Sequence, residues 1–178
     1  MCQPGDDLSG STIDSTERTF AGRARVNICA MATVDVQTEV EIQRRREEVA
    51  AYARDPDNAP DWYRNIERAE WETSPPLAVG SRIKFTARFM GRRLMYTYEI
   101  REMIIDERLV MSTDQGPFPM ETIYAWADAG TGATKMTLRN RGEPTGFAKV
   151  GVPLMEAAMR RANRNDLKRL KEILEARP

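Results

Sequence analysis

A long alternation of apolar and polar residues from Ile83 to Asn140 constrains the fold of this chain more than any other feature. Alternate residues of an extended strand point to opposite faces, so Phe85 and Phe89 share one face and Arg88 lies on the other. Turn-forming residues such as Gly91 interrupt the alternation at intervals typical of an antiparallel meander. The pattern predicts a sheet of antiparallel strands with one apolar face.

The stretch before this alternation predicts one further strand and two short helices. Val34 to Gln43 has apolar residues two or four positions apart, which indicates a half-buried first strand. Arg46 to Arg54 is typical of a short helix that ends at Asp55-Pro56, and Asn58 to Asn65 is typical of a second one. The alternation returns after residue 76, so the predicted order is one strand, two short helices and about six strands.

The last predicted element is a long amphipathic helix from Pro153 to Ala176. A stripe of mainly apolar side chains recurs in it at spacings of three or four, as on one face of a helix. Pro153 fits either the first turn of this helix or a kink in a longer helix that begins near Gly146. The stripe consists of Met155, Met159, Asn163, Leu167, Leu170 and Leu174.

Residues 1–30 show neither strand nor helix periodicity. Such a stretch buries too little apolar surface to offset the ordering of its backbone, so we expect a disordered tail. Met31 opens the patterned region, and we hypothesise that it is the natural start of the protein. The remainder, residues 31–178, is long enough for a single domain with a substantial core.

Composition limits the kinds of binding partner and the cellular compartment that we expect for this chain. The chain has 27 Lys and Arg against 27 Asp and Glu, so no net field attracts phosphate backbones and nucleic-acid binding is not expected. Cys2 and Cys29 both precede the patterned region and cannot cross-link its core, which favours a cytoplasmic protein. No apolar run reaches the roughly 18 residues of a membrane-spanning helix, so membrane insertion is not expected. We expect a monomer or homodimer.

Metal and cofactor motifs are scarce. The chain has no histidine, which excludes the commonest general base and His-ligated zinc. Asp55, Asp57 and Asp61 have a spacing like that of a calcium loop, but Pro60 replaces the glycine of such a loop. Hydrogen bonds at a helix boundary explain these aspartates better. No cofactor and no metal site is predicted.

Few residues are candidates for acid-base catalysis. The weak candidates are Tyr98, Tyr124 and Asp114. Glu121 and Arg139 are weaker still, because strand alternation places them on the face opposite the apolar one.

The predicted final helix is basic between Arg160 and Lys171, which could suit RNA or a phospholipid surface. Because acidic residues accompany the basic ones, we interpret this side of the helix as a solvated outer face. The balancing acidic residues are Glu156, Asp166, Glu172 and Glu175.

One helix is too narrow to cover the apolar face of a sheet with so many strands, so we expect a gap between them. The residues predicted to face this gap are mostly aromatic or Met, with an occasional amide, a composition typical of a pocket for an apolar small molecule. Simple core packing is the alternative interpretation of the same side chains. The predicted ligand-binding set is Phe85, Phe89, Tyr96, Tyr98, Met111, Met120, Tyr124, Met136, Leu138, Asn140, Met155 and Met159.

Short motifs in a particular order mark the region from Val34 to Arg177. They are Asp55-Pro56-Asp57-Asn58 followed by Trp62, Val79-Gly80-Ser81, Gly116-Pro117-Phe118-Pro119, Gly132-Ala133-Thr134, and the segment Asp166 to Lys171 followed by Leu174-Glu175. In these motifs the chain resembles the START-like superfamily, also called SRPBCC, in its branch of polyketide cyclase, dehydrase and lipid-transport proteins. The resemblance implies a helix-grip α+β fold, in which a curved antiparallel sheet and a long C-terminal helix enclose a hydrophobic cavity.

The resemblance implies function only as a class. Binding or carriage of a lipid, steroid or polyketide-like molecule is the leading hypothesis, because no catalytic motif of the family can be placed on these residues. The first alternative is a polyketide cyclase or dehydratase that acts by positioning its substrate, with tyrosines as proton donors. The second alternative is a protein-partner module of the co-chaperone or ribosome-associated type, which would show an exposed apolar patch.

Overall fold

Seven antiparallel strands form one sheet in the computed structural model, which describes residues 33–89, 92–115, 118–144 and 151–178. The strands, in chain order, are β1 (Val34–Ile42), β2 (Ile66–Trp71), β3 (Arg82–Phe89), β4 (Arg92–Ile104), β5 (Arg108–Thr113), β6 (Met120–Asp128) and β7 (Thr134–Gly142). Neighbouring strands follow the order β1-β7-β6-β5-β4-β3-β2. The first two strands of the chain therefore form the two edges of the sheet.

Three α-helices and a short 3-10 turn complete the secondary structure of the described residues. They are α1 (Arg46–Arg54), the 3-10 turn (Pro56–Asn58), α2 (Ala59–Trp62) and α3 (Val152–Glu175). The second predicted helix was too long, because Tyr63 adopts an extended backbone and the chain enters β2 at Ile66. Pro153 occupies the first turn of α3, as one of the two predicted roles requires, and the other predicted start near Gly146 lies outside the described residues. None of the described helices combines the length and apolar character needed to cross a membrane.

The order of one strand, two short helices, six strands and a long helix confirms the predicted helix-grip α+β fold. Two irregularities in strand pairing help to curve the sheet. The register shifts between Ile66 and Arg68 in β2 and between Ile100 and Glu102 in β4. Such bulges bend a strand and increase its twist, so the sheet can wrap around a helix.

Cross-strand pairing gathers the predicted apolar residues on one face of the sheet. Phe85 pairs with Tyr96, and Tyr124 pairs with Leu138. Directly paired residues of an antiparallel ladder share a face, and Leu167 of α3 belongs to the same buried core. We call this the inner face of the sheet and the opposite one the outer face.

The helix α3 runs along the open edge of β1 and forms hydrogen bonds with its backbone. An uncovered edge strand invites association with other chains, and here side chains of the helix occupy it. Four charged residues of the predicted solvated face are only partly exposed, and their side chains form these hydrogen bonds. Glu156 accepts from the N–H of Asp35, Arg160 donates to the carbonyl of Gln37, Lys171 donates to the carbonyl of Glu41, and Glu175 accepts from the N–H of Gln43, over 2.6 to 3.3 Å.

Burial is uneven along α3. The stripe residues from Asn163 to Leu174 are buried, whereas Met155 and Met159 are half-buried and Leu154 is 78% exposed. Among the described residues of α3, none that precedes Asn163 is buried. The packed core between helix and sheet therefore begins at Asn163, and the N-terminal turns of α3 lie outside it.

The prediction for Asp166 was wrong. We expected its carboxylate on the solvated outer face of the helix, but Asp166 is only 3% exposed. It follows Asn163 by three positions and precedes Leu170 by four, so helical geometry places it in the buried stripe. Its Oδ1 accepts a hydrogen bond from the backbone N–H of Arg64 at 3.1 Å, which joins α3 to the segment after α2.

The three aspartates near the end of α1 form hydrogen bonds within the protein. Asp55 accepts from the backbone N–H of Asp57 at 3.0 Å, which is the predicted boundary interaction. Asp57 accepts from the indole N–H of Trp71 at 3.0 Å, and Asp61 accepts from the hydroxyl of Tyr52 at 3.1 Å. These bonds connect α1, the 3-10 turn, α2 and β2 into one corner of the fold.

Candidate ligand-binding site

Three aromatic rings of β3 and β4 form an apolar surface on the inner face. Phe85 and Tyr98 meet edge to face with ring centroids 6.0 Å apart, and Tyr96 and Tyr98 do the same at 5.7 Å. These arrangements bring the positive edge of one ring to the negative face of another. Phe85 and Tyr98 are buried, whereas Tyr96 is half-buried. Tyr96 therefore borders the more accessible part of this surface.

A chain of hydrogen-bonded side chains crosses the interior from α3 to β4. Asn163 donates through Nδ2 to Oδ1 of Asn140 at 2.8 Å, and Asn140 donates through Nδ2 to the hydroxyl oxygen of Thr122 at 2.9 Å. The hydroxyl groups of Thr122 and Tyr98 share a further bond at 3.2 Å. Buried polar groups require such partners. The chain brings together two predicted site residues, Tyr98 and Asn140, and links the helix to the sheet.

A second polar element is the hydroxyl pair of Tyr63 and Tyr124, whose oxygens lie 2.7 Å apart. The Tyr63 ring stacks on Trp62 at a centroid distance of 3.9 Å. The Tyr124 ring meets Trp62 and Trp126 edge to face, at 5.9 Å in each case. The pair therefore lies in an aromatic corner formed by α2, the segment after it and β6.

Burial raises the pKa of the four tyrosines on or beside the inner face. It raises the pKa of Tyr98 to about 12, although the hydrogen bond with Thr122 acts in the opposite direction. Burial raises the pKa of Tyr63, Tyr96 and Tyr124 further above the ordinary value. A group that stays neutral at neutral pH donates hydrogen bonds through its O–H. The interior therefore contains tyrosines that act as donors and not as bases.

Asp166 adds a buried carboxylate beside the tyrosines. Burial raises its pKa to about 6, while the backbone N–H of Arg64 partly offsets this rise by stabilising the charge. The negative charge of Asp166 also contributes to the raised pKa of Tyr63 and of Tyr124. The three groups are thus within electrostatic reach of one another.

The structure divides the predicted ligand-binding set by burial. Met155 and Met159 lie in the N-terminal half of α3, and Met120 and Asn140 lie near the ends of their strands. The side chain of Phe89 lies outside the described residues. The half-buried members are Tyr96, Met120, Asn140, Met155 and Met159. The buried members are Phe85, Tyr98, Met111, Tyr124, Met136 and Leu138.

The outer face carries a polar groove of about 620 Å³, and Asp114 lines it as an exposed residue. Its charged side chains pair with one another, as Arg141 does with Glu121 at 3.7 Å. On the same face Arg139 forms two hydrogen bonds with Asp35, at 2.8 and 2.6 Å. Glu121 and Arg139 thus lie opposite the inner face, as alternation predicts. Asp114, one of the weak catalytic candidates, is likewise not brought to the tyrosines.

Three interior polar residues were not predicted as site residues. Thr122 has the same strand phase as Tyr124, and Asp166 has the helical phase of Asn163 and Leu170, so periodicity could have identified both. Tyr63 lies in an irregular segment between α2 and β2, where no period applies. Only the fold brings it against β6.

Comparison with known families matches residues 33–175 to a family described as polyketide cyclase / dehydrase and lipid transport. The chain belongs to this family. The match extends from β1 to the last turn of α3 and includes every element that carries the interior tyrosines. It confirms the resemblance inferred from the short motifs.

Several solved structures share the fold of this chain. A START superfamily protein from Mycobacterium smegmatis has a TM-score of 0.70 and 15% identity, covering 79% of this chain and 97% of the other. The Zhui aromatase/cyclase from a Streptomyces species has a TM-score of 0.68 and 13% identity, covering 80% and 94%. A protein from Thermus thermophilus has a TM-score of 0.66 and 22% identity, covering 78% and 94%. A search of curated proteins found no match.

Proposed function

We propose that this protein binds a hydrophobic small molecule between the inner face of the sheet and the N-terminal half of α3. The observation that carries the proposal is the uneven burial of the helix. Its stripe is packed from Asn163 onward, but Met155 and Met159 in the same stripe remain half-buried. Apolar side chains of one stripe normally pack against the same partner. The described residues bury these two methionines only in part, so we infer that an apolar guest packs against them.

The composition of the inner face supports this proposal. Phe85, Tyr96 and Tyr98 offer aromatic surface, and a few fixed polar groups interrupt it, as in most small-molecule sites. The hydrogen-bonded chain through Thr122 and Asn140 holds its polar groups in fixed positions. Membership of a family described by polyketide and lipid-transport proteins agrees with an apolar ligand.

Native mass spectrometry of gently purified full-length protein tests the proposal. We expect added mass from a small molecule that disappears on denaturation, and we expect the ligand-free protein to take up the neutral dye Nile red. Protein that carries no small molecule and leaves Nile red unbound would contradict the proposal.

The carboxylate of Asp166 favours a second candidate function, a cyclase or dehydratase. A base beside phenol donors can remove a proton from carbon next to a ketone, while a tyrosine O–H stabilises the negative charge that develops on the ketone oxygen. Tyr63 and Tyr124 are the donors within electrostatic reach of Asp166. Deuterium exchange at that carbon of a bound aryl ketone, followed by NMR, tests this function. Exchange that is equal with Asp166→Asn would argue against it.

A further inference from the structure

The hydroxyl pair of Tyr63 and Tyr124 has one proton more than its hydrogen bond uses. Each phenol carries one O–H, and a single bond at 2.7 Å joins the two oxygens. Whichever tyrosine donates, the other keeps a proton of its own. None of the hydrogen bonds among the described residues accepts that second proton. Tyr124 is buried and Tyr63 is half-buried, so a donor of this pair that lacks an acceptor costs free energy, and the position suits an acceptor from outside the protein.

Two further donors lie in the same aromatic corner. The indole N–H groups of Trp62 and Trp126 are buried and have no acceptor within the described part of the chain. Both rings contact Tyr124 edge to face at 5.9 Å. The third buried nitrogen without a hydrogen bond there, Nε of Arg46, is also a donor, and it lies 3.8 Å from a carboxylate oxygen of Asp128. The buried side-chain polar atoms without a hydrogen bond in that part of the chain are thus all donors.

The buried charge in the interior is negative. Asp166 is the only charged side chain among the described residues that is buried. No buried Lys or Arg accompanies it in that part of the chain, and the two cations whose charge acts on Asp166, Arg64 and Arg169, are exposed. A ligand carboxylate buried beside Asp166 would therefore meet a second negative charge and no buried cation. A buried, unpaired anion is costly. These groups disfavour fatty acids and other anionic ligands.

We infer that the bound molecule is neutral and presents an acceptor oxygen, such as a ketone oxygen, to the hydroxyl pair of Tyr63 and Tyr124. This inference rests on the proposed function and adds the polar chemistry of the ligand to it. A plain hydrocarbon would leave the spare proton unpaired, and an anion would face Asp166. A neutral oxygen satisfies the donor without adding charge.

Matched probes test the inference with the full chain at neutral pH. Acetylnaphthalene, isopropenylnaphthalene, naphthoate and the naphthylmethylammonium ion share one ring system and differ in a single substituent. We expect the ketone to bind about fivefold or more tighter than the isosteric alkene, the effect of one net hydrogen bond, and tighter than either ion. Calorimetric titration measures all four affinities.

The double variant Tyr63→Phe, Tyr124→Phe should bind ketone and alkene equally. Tyr52→Phe is the matched control, because the Tyr52 hydroxyl donates to Asp61 and belongs neither to the Tyr63–Tyr124 pair nor to the hydrogen-bonded chain through Thr122. It should leave the preference for the ketone intact. If the double variant does not fold, the two single variants replace it, and at least one of them should lose the preference.

The outcomes separate the two proposals. If none of the four probes binds, the proposed function itself fails. If the alkene binds as tightly as the ketone, or if either ion binds best, the inference is overturned while hydrophobic binding stands. A ketone preference that survives in the double variant, or in both single variants, also overturns it.

Discussion

Replacing Asp166 with asparagine should make the protein more stable at neutral pH. The carboxylate is 3% exposed and accepts one backbone hydrogen bond from Arg64. Asparagine has nearly the same shape and keeps an oxygen for that bond, but it cannot ionise. The variant therefore avoids the cost of burying a negative charge.

The magnitude follows from the pKa of Asp166, which rises from 3.8 to about 6 on folding. Because the folded protein holds the proton of Asp166 more tightly than the unfolded chain does, protonated Asp166 contributes to the stability of the fold. This contribution is complete below pH 3.8 and is lost as the pH rises through about 6, where the buried carboxyl group ionises. Linkage gives a loss of roughly 3 kcal/mol at pH 7 but only about 0.5 kcal/mol at pH 4. The advantage of Asp166→Asn over the parent should grow by that difference across this window.

Urea unfolding of both proteins between pH 4 and pH 7.5, followed by circular dichroism, measures the growth of this advantage. A constant offset from the substitution cancels when two pH values are compared, and all other titrating groups are common to both proteins. A difference in the free energy of unfolding that does not change with pH would refute the argument that Asp166 is buried and ionisable.

Two substitutions test other parts of the fold. Leu170→Ala should lower the free energy of unfolding by about 2 to 5 kcal/mol, because the Leu170 side chain of α3 is fully buried. Leu154→Ala on the same helix should change the free energy of unfolding by less than about 0.5 kcal/mol, because Leu154 is exposed. Equal losses would contradict the assigned packing. Gly132→Ala should lower the free energy of unfolding by about 1 kcal/mol, because Gly132 has a φ of 72° in the β6–β7 turn; an added Cβ meets no neighbouring atom, so the backbone conformation is the whole cause. Gly132→Asn should lower it less, because asparagine tolerates this conformation better than alanine. A higher melting temperature for the alanine variant than for the asparagine variant would contradict this reasoning.

The architecture was predictable where a period persists. The alternation around Phe85 and Tyr124 fixes both the strands and the face of each side chain, and the spacing from Asn163 to Leu174 fixes the buried side of the helix. The strand Ile66–Trp71 was not located individually, because none of its residues is buried and two charged residues, Glu67 and Arg68, are adjacent within it. Its place at the sheet edge depends on pairing with β3 and not on local pattern.

The candidate site was predictable in its apolar part and less so in its polar part. The phase of Tyr98 and Asn140 in their strands placed them inside, but the bonds between Asn140, Thr122 and Asn163 depend on how closely α3 approaches β7. Asp166 was assigned to solvent because it accompanies the basic residues of the helix. Its helical phase instead places it in the buried stripe, where burial raises its pKa.

The central claim is that an apolar molecule occupies the space beneath the first turns of α3, and two tryptophan substitutions on that helix test it most directly. Met159 is half-buried one turn before Asn163, whereas Leu154 is 78% exposed. Nile red should bind Met159→Trp at least about tenfold more weakly than the parent, because the indole fills the proposed space, and should bind Leu154→Trp within about twofold of the parent. Equal Nile red affinity for the parent and both variants would contradict the account.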